Sequence, residues 1–165
     1  MTSGFLERLQ QGTVICDGAM GTQLHMIGGH AFDQSLEALN LNHPDLIRQI
    51  HLGYLGVGAE IIQTNTFGAN NLRLSSFGLE DRSDEINHAG VLIAKEARRL
   101  NGQEIWIAGS MGPSGHVGLG FNVLDNAMFH NVFAQQAAAL ADAGVDLLIL
   151  ETFPSIQEMK LAVQG

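Results

Sequence analysis

The sequence has few of the residues that mark disulfide-rich, nucleic-acid-binding or membrane proteins. Its 165 residues include one cysteine, Cys16, so no intramolecular disulfide can form. Lysine and arginine total 8 against 17 acidic residues, and the net charge of −9 argues against a nucleic-acid or anionic-membrane partner. No run reaches the roughly 18 to 20 apolar residues of a membrane span, and the first ten residues lack a secretory signal. We expect a cytoplasmic protein.

Proline is also scarce, at 3 residues, whereas glycine is frequent, at 20. This combination indicates many tight turns rather than linkers, and no repeat or low-complexity tract divides the chain. Apolar residues make up 45% and charged residues 15%, a composition typical of a globular protein with a sizeable core. The sequence therefore predicts a single domain over residues 1–165.

Short apolar strands alternate with helices along the whole chain. Most of the predicted strands are bounded by glycine, and the helices show apolar residues at helical spacing. This order is typical of an α/β protein with a parallel sheet covered on both faces. Residues 18–42 are predicted to be irregular. The predicted strands are 13–17, 59–67, 104–115 (the third strand together with its turn) and 145–153, and the predicted helices are 3–11, 42–56, 84–100, 127–143 and 154–163.

A polar side chain stands at or near the end of each predicted strand: Asp17, then Thr64 and Thr66, then Ser110, then Glu151. Ligands of parallel α/β folds bind beyond the carboxyl ends of the strands. If the faces that carry Asp17 and Glu151 point into a barrel, the two acids converge at its mouth. Two neighbouring carboxylates can bind an amino group or perform acid–base chemistry.

Simpler roles exist for these residues. An acid at a strand end can cap a helix, but Asp17 precedes a glycine loop, and Ser155 or Thr152 is better placed than Glu151 to cap the last helix. Threonine also favours strands without any functional role. Cys16 is predicted to be a small apolar residue that packs beneath the helices. A site role is favoured for both acids.

Four segments between residues 17 and 163 belong together. They are DGAMGTQL at 17–24, HPDLIRQIHLGYLGVGAEIIQTNTFGAN at 43–70, AGSMGPSG at 108–115 and DLLILETFPSIQEMKLAV at 146–163. In these segments and in their order, the sequence resembles the homocysteine S-methyltransferase family, and in particular the N-terminal homocysteine-binding domain of cobalamin-dependent methionine synthase and its bacterial relatives. The resemblance extends over nearly the whole chain.

The resemblance implies a (β/α)8 TIM barrel, of which this chain supplies about the first four βα units, a half barrel. The implied reaction transfers a methyl group to the thiolate of L-homocysteine and gives methionine. Asp17 and Glu151 match the acids that hold the substrate amino group. The other implied substrate-binding residues are Gly18 and Thr64, which contact the substrate carboxylate or line the pocket, and the pocket walls Thr66, Phe67 and Ser110.

The resemblance also implies a zinc ion that lowers the pKa of the substrate thiol. The family holds it with three cysteines, two of them in a Gly-Gly-Cys-Cys block that this sequence does not contain, and Cys16 is not at a matching position. We therefore expect neither a metal ligand nor a catalytic residue in this chain, and no methyl transfer by the chain alone. Zinc, and possibly cobalamin and folate, would act through other parts of the protein.

The expected partners are L-homocysteine and a methyl donor that the sequence does not identify. A half barrel leaves two open strand edges, so a C-terminal half or a second copy of the chain is also expected. Two other functions remain open. One is a zinc-free amino-acid-binding module without catalysis. The other is a barrel lyase or aldolase that uses Asp17 and Glu151 as acid and base, although Lys95 and Lys160 fall on predicted helices rather than at strand ends.

Overall fold

The computed structural model describes residues 4–28, 34–115 and 123–165, which form eight α-helices, one short 3-10 helix (Glu80–Arg82) and three strands. The strands are β1 (Ile61–Gln63), β2 (Trp106–Met111) and β3 (Leu147–Leu150). The helices are α1 (Phe5–Gln10), α2 (Met20–Gly28), α3 (Leu39–Asn42), α4 (Pro44–Gly56), α5 (Asn71–Ser75), α6 (Ser83–Asn101), α7 (Val123–Ala143) and α8 (Ile156–Gln164).

The strands form one parallel sheet in the order β1-β2-β3. Ile61 pairs with Trp106, and Ala108 pairs with Leu147. Cys16 adds an isolated parallel bridge to Ile61 on the outer side of β1. Parallel strands that are neighbours in both sequence and space require helical crossovers. The α/β class predicted from the sequence is confirmed.

Helices α4, α6 and α7 supply much of the core beside this sheet. Ile62 and Ile107 belong to an apolar cluster with residues of α4 and α6, and Met111 belongs to another that contains Phe133 of α7. A Cβ on Gly109 would lie 2.9 Å from the side chain of Leu148, so only glycine leaves room at this point of the sheet. No helix in the described part of the chain is long and apolar enough to cross a membrane.

Two predictions for the N-terminal quarter of the chain are wrong. Residues 13–17 were expected to form a strand, yet only the bridge at Cys16 forms, so this segment is a fragmentary edge of the sheet. Residues 18–42 were expected to be irregular, yet they contain α2 and α3. Helix α2 is stabilised by tertiary packing, because the fully buried Leu24 joins Ile47 of α4 and Ile93 of α6 in one cluster.

The remaining helix predictions agree closely with the structure. Helix α4 begins at Pro44, where the missing proline N–H leaves no unsatisfied donor. Helix α6 ends before Gly102, whose φ of 72° is the left-handed conformation favoured at helix ends. All three strands are shorter than predicted. Thr64 and Thr66 follow β1 and Glu151 follows β3, whereas Ser110 stays within β2.

Candidate substrate-binding site

A cavity of about 640 Å³ is lined by residues at the carboxyl ends of the three strands, together with the segment around α2 and the residues before α3. The structure brings six of the seven predicted site residues to this one cavity. They are Asp17, Gly18, Thr64, Phe67, Ser110 and Glu151. The seventh, Thr66, is fully buried and does not line the cavity. Its hydroxyl is used in internal hydrogen bonds, so its placement as a pocket wall is corrected.

The carboxylate of Asp17 is held in place by the edge of the sheet. Its Oδ2 accepts a hydrogen bond from the backbone N–H of Gln63 at 2.9 Å, and its own backbone N–H donates to the carbonyl of Ile61 at 2.9 Å. Burial and, to a smaller extent, the negative charge of Glu151 raise the pKa of Asp17 to about 6. A cation in the cavity would favour the charged form of this acid.

Glu151 lies at the end of β3 and is held by Ser110. The Ser110 hydroxyl donates to Glu151 Oε1 at 2.5 Å, and the Glu151 N–H donates to the Met111 carbonyl at 3.1 Å. The next residue, Thr152, has a φ of 59°, and it is the one non-glycine residue with positive φ in the described part of the chain. Such a conformation is unfavourable for a β-branched residue and is typical of functional sites. The chain therefore bends sharply directly after the acid.

Cys16 is exposed, so the prediction that it packs beneath the helices is wrong. The residue lies at the sheet edge, where its thiol donates to Asp17 Oδ1 at 3.4 Å. Partial desolvation and the adjacent Asp17 carboxylate raise the pKa of the Cys16 thiol to about 11. The thiol is therefore protonated at neutral pH and is a poor nucleophile.

Phe67 reaches the cavity beside Gly112, which leaves room for its ring. A Cβ on Gly112 would lie 2.4 Å from the Phe67 ring, and the Gly112 N–H donates to the Phe67 carbonyl at 2.8 Å. Arg73 of α5 lies over the same ring, 5.2 Å from its centre. A Cβ on Gly68 would lie 2.7 Å from Arg73 Nε and from Glu37 Oε1.

Two residues of the cavity wall, Glu37 and Arg73, were not predicted from the sequence. Glu37 Oε1 accepts from the Gly68 N–H at 2.8 Å, and Glu37 Oε2 accepts from the Ser35 hydroxyl at 3.0 Å, which fixes the loop after β1. Arg73 brings a positive charge to the wall. Its helix has a recognisable start, because Asn70 caps α5 by accepting from the Arg73 N–H at 2.9 Å. Glu37 carried no such signal, since it lies in a stretch predicted to be irregular.

Comparison with known proteins identifies the family to which this chain belongs. A family model described as homocysteine S-methyltransferase matches residues 14–165. The chain belongs to the homocysteine S-methyltransferase family. The resemblance seen in its sequence segments is confirmed, and the family is one of methyltransferases.

Curated and solved relatives agree with this homocysteine S-methyltransferase assignment. The chain is 31% identical to the methionine synthases of Mycobacterium tuberculosis and Mycobacterium leprae over 97% of its own length, but it spans only 14% of theirs. It also matches the homocysteine methyltransferase MmuM from Escherichia coli in its metallated form, with a TM-score of 0.80 and 29% identity. That match covers 94% of this chain and 59% of the MmuM chain. The oxidised form of MmuM gives a TM-score of 0.82.

The described residues do not fit the zinc site that family resemblance implies. Within residues 4–28, 34–115 and 123–165, no group of three His, Cys, Asp or Glu side chains could hold a metal ion. The one thiol of this homocysteine S-methyltransferase chain, Cys16, has a raised pKa and is hydrogen-bonded to Asp17. A thiolate ligand requires the opposite environment.

Proposed function

We propose that this chain carries the homocysteine-binding part of a homocysteine methyltransferase, an enzyme that methylates the sulfur of L-homocysteine to give methionine. The single observation that carries the proposal is the placement of Asp17 and Glu151 in one cavity at the carboxyl ends of parallel strands. The sequence alone predicts both acids as site residues. An α-amino acid has the positive amino group that such a pair can hold.

The electrostatics of Asp17 support an ammonium ligand. Its hydrogen-bond donors in the structure are the Gln63 amide and the Cys16 thiol, neither of which carries a positive charge. Burial without a cationic partner is costly for a carboxylate, which is why the pKa of Asp17 is raised. An ammonium group placed between Asp17 and Glu151 would offset this cost for Asp17 and would contact both carboxylates. The binding energy of an amino acid would therefore be concentrated at its amino end.

We also propose that the chain forms the first four βα units of a (β/α)8 barrel. The parallel order of the strands and the 59% coverage of MmuM support this reading. Zinc, when bound, supplies a lowered thiol pKa, and one cysteine cannot provide three thiolates for it. We therefore expect this chain alone to bind and orient homocysteine without transferring a methyl group. Cobalamin or folate, where used, would act through other domains.

The sheet edges indicate where further strands would join. Ile15, beside the bridge at Cys16, is 58% exposed, and Leu148 on β3 is 41% exposed. Unpaired strand edges with apolar side chains favour pairing with other strands. The partner is either another part of the same protein or a second copy of this chain.

Two other functions use the same acids. An amino-acid-binding module without chemistry is favoured by the lack of zinc-binding cysteines. An aldolase is disfavoured, because Lys95 donates to the Ala143 carbonyl, Lys160 lies on α8, and neither lysine lines the cavity. Binding of homocysteine by this chain alone is common to the enzyme and to the binding module.

Calorimetric titration tests the proposed ligand. L-homocysteine and 4-mercaptobutanoate differ only in the amino group, so their affinities isolate its contribution. We expect the chain to prefer L-homocysteine, and we expect Asp17→Asn to weaken that binding about tenfold or more, equivalent to about 1.4 kcal/mol, while leaving 4-mercaptobutanoate unaffected.

Asp45→Asn is the matched control, because Asp45 lies on α4 away from the cavity and its side chain is 85% exposed. This variant should bind both ligands like the unchanged chain. Equal affinity for the two ligands, or an unchanged affinity in Asp17→Asn, would contradict an amino-group site at these acids.

A further inference from the structure

Strand β1 leaves its neighbour β2 at Thr64. The Thr64 N–H still donates to the Ala108 carbonyl at 2.9 Å, as expected for the parallel ladder. The chain then turns, and the Thr66 N–H donates to the Thr64 carbonyl at 2.8 Å, a three-residue turn. The two backbone groups that would have paired with Ser110 on β2 are therefore bonded to each other.

Two threonine hydroxyls replace these lost backbone partners. The Ser110 N–H donates to Thr64 Oγ1 at 3.2 Å, and Thr66 Oγ1 donates to the Ser110 carbonyl at 2.8 Å. The two hydroxyl oxygens lie 2.6 Å apart. Side chains thus continue the β1–β2 ladder by one residue after the backbone of β1 has turned away.

The donor and the acceptor of each hydrogen bond in this group follow from the chemistry of the partners. A carbonyl oxygen only accepts, so the single hydroxyl proton of Thr66 is directed to Ser110. The short contact between the hydroxyls must then be a donation from Thr64 to Thr66. The result is a closed ring that runs from the Ser110 N–H through Thr64 and Thr66 to the Ser110 carbonyl. All three residues are buried.

This ring clamps the backbone of Ser110, whose hydroxyl donates to Glu151. From behind, Gln136 of α7 donates to the Thr66 carbonyl at 2.8 Å. The Thr66 methyl group is close to Gly90 of α6, where a Cβ would lie 2.8 Å away. The position of the Glu151 carboxylate is thereby linked to two helices of the core through Thr66 and Ser110.

We propose that Thr64 and Thr66 are positioning residues, which hold the Glu151 carboxylate for the substrate amino group through Ser110, and that neither hydroxyl donates to the ligand. This inference rests on the proposed function. It specifies the role of Thr64, for which the family resemblance implies either a contact with the substrate carboxylate or a place in the pocket lining. Although Thr64 lines the cavity, its hydroxyl proton and its backbone N–H are both already engaged.

The test compares Thr66→Val, which removes the hydroxyl at nearly constant shape, with Thr66→Ser, which keeps it. We expect Thr66→Val to weaken L-homocysteine binding about tenfold and to change 4-mercaptobutanoate binding by less than about twofold. Thr66→Ser should bind both ligands like the unchanged chain. Equal weakening for both ligands would show a merely structural role, and no weakening would show that Thr66 does not position Glu151.

Hydrogen exchange in the ligand-free chain tests the ring independently of any binding. The Ser110 amide should be strongly protected, and Thr64→Val should accelerate its exchange at least about tenfold while Thr64→Ser does not. An unprotected Ser110 amide in the unchanged chain would overturn the ring. A protected Ser110 amide in a chain that does not bind homocysteine would overturn both the proposed function and the positioning role that rests on it. The ring itself would still be established by that result.

Discussion

Asp17 combines three properties that rarely occur together in one acidic residue near the protein surface. It ends an edge segment of the sheet, it lines the cavity, and burial raises its pKa to about 6. Its importance could be predicted from the sequence, because a carboxylate between an apolar segment and a glycine has few structural roles. Its partners could not be predicted, since the Gln63 amide reaches Asp17 only through the packing of β1 against residues 13–17.

His51 and Asp17 should shift the pH dependence of stability in opposite directions. His51 is fully buried on α4, both of its ring nitrogens lack a hydrogen-bond partner in the structure, and burial lowers its pKa to about 4. The unfolded chain, with an ordinary histidine pKa of about 6.5, binds more protons than the folded chain between these values. The contribution of uncharged His51 to the free energy of unfolding is therefore lost as the pH falls below about 6.5.

For Asp17 the sign is reversed. Its folded pKa of about 6 lies above its ordinary value of 3.8, so the folded chain binds more protons between them. This contribution to stability is present at low pH and is lost as the pH rises through 6. Between about pH 4 and pH 6 the two residues thus oppose each other.

Urea denaturation at pH 7 and pH 5 measures this balance. His51→Leu should reduce the loss of unfolding free energy between the two pH values by about 2 kcal/mol, whereas Asp17→Asn should increase that loss. The account of these two buried groups would be wrong if His51→Leu left the loss unchanged or if both substitutions moved it in the same direction.

Thr66 shows why a site residue can be misplaced from sequence. Its position after a strand end predicts a pocket wall, and threonine carries a hydroxyl that could face a ligand. The actual direction of that hydroxyl depends on the turn at Thr64. In this turn the Thr66 N–H donates to the Thr64 carbonyl, so neither backbone group is available to Ser110, and the Thr66 hydroxyl donates to the Ser110 carbonyl instead. The periodicity of the sequence does not predict this turn or the direction of the hydroxyl.

At the scale of elements, helices with a clear start, end or apolar periodicity were predicted, whatever their length. They are α1, α4, α6, α7 and α8. Helix α2 was missed, because glycines flank and interrupt it and its stability comes from Leu24 in a cluster with α4 and α6. Three of the four predicted strands form in the expected order but are shorter than predicted, and the first is reduced to the bridge at Cys16.

Helix α8, which follows β3 and the Glu151 turn, offers a test at this scale. Ser155 caps it by accepting a hydrogen bond from the Glu158 N–H at 3.3 Å. Ser155→Ala should lower the unfolding free energy by about 1 kcal/mol, because it leaves that N–H without its cap. Urea denaturation at pH 7 gives the value.

Ser155→Asp is the matched control, since aspartate caps helices as well as serine does. It should keep the stability of the unchanged chain within a few tenths of a kcal/mol. An alanine variant as stable as the aspartate variant would show that the cap does not stabilise α8.

At the scale of the whole molecule, the chain is a parallel α/β unit that belongs to the homocysteine S-methyltransferase family and spans part of its longer relatives. The family and the fold class could be predicted from sequence, because the matching segments are spread from residue 17 to residue 163 and the alternation of apolar strands with helices is visible along the chain. The convergence of Asp17 and Glu151 was only a conditional expectation, since it depends on how far the sheet curves.

The most direct measurement is a crystal structure of this chain with bound L-homocysteine. We predict that the amino nitrogen lies within hydrogen-bond distance, about 2.7 to 3.2 Å, of both the Asp17 and Glu151 carboxylates, with the Ser110 hydroxyl still on Glu151. A ligand bound elsewhere, or one whose amino group points away from both acids, would contradict the account.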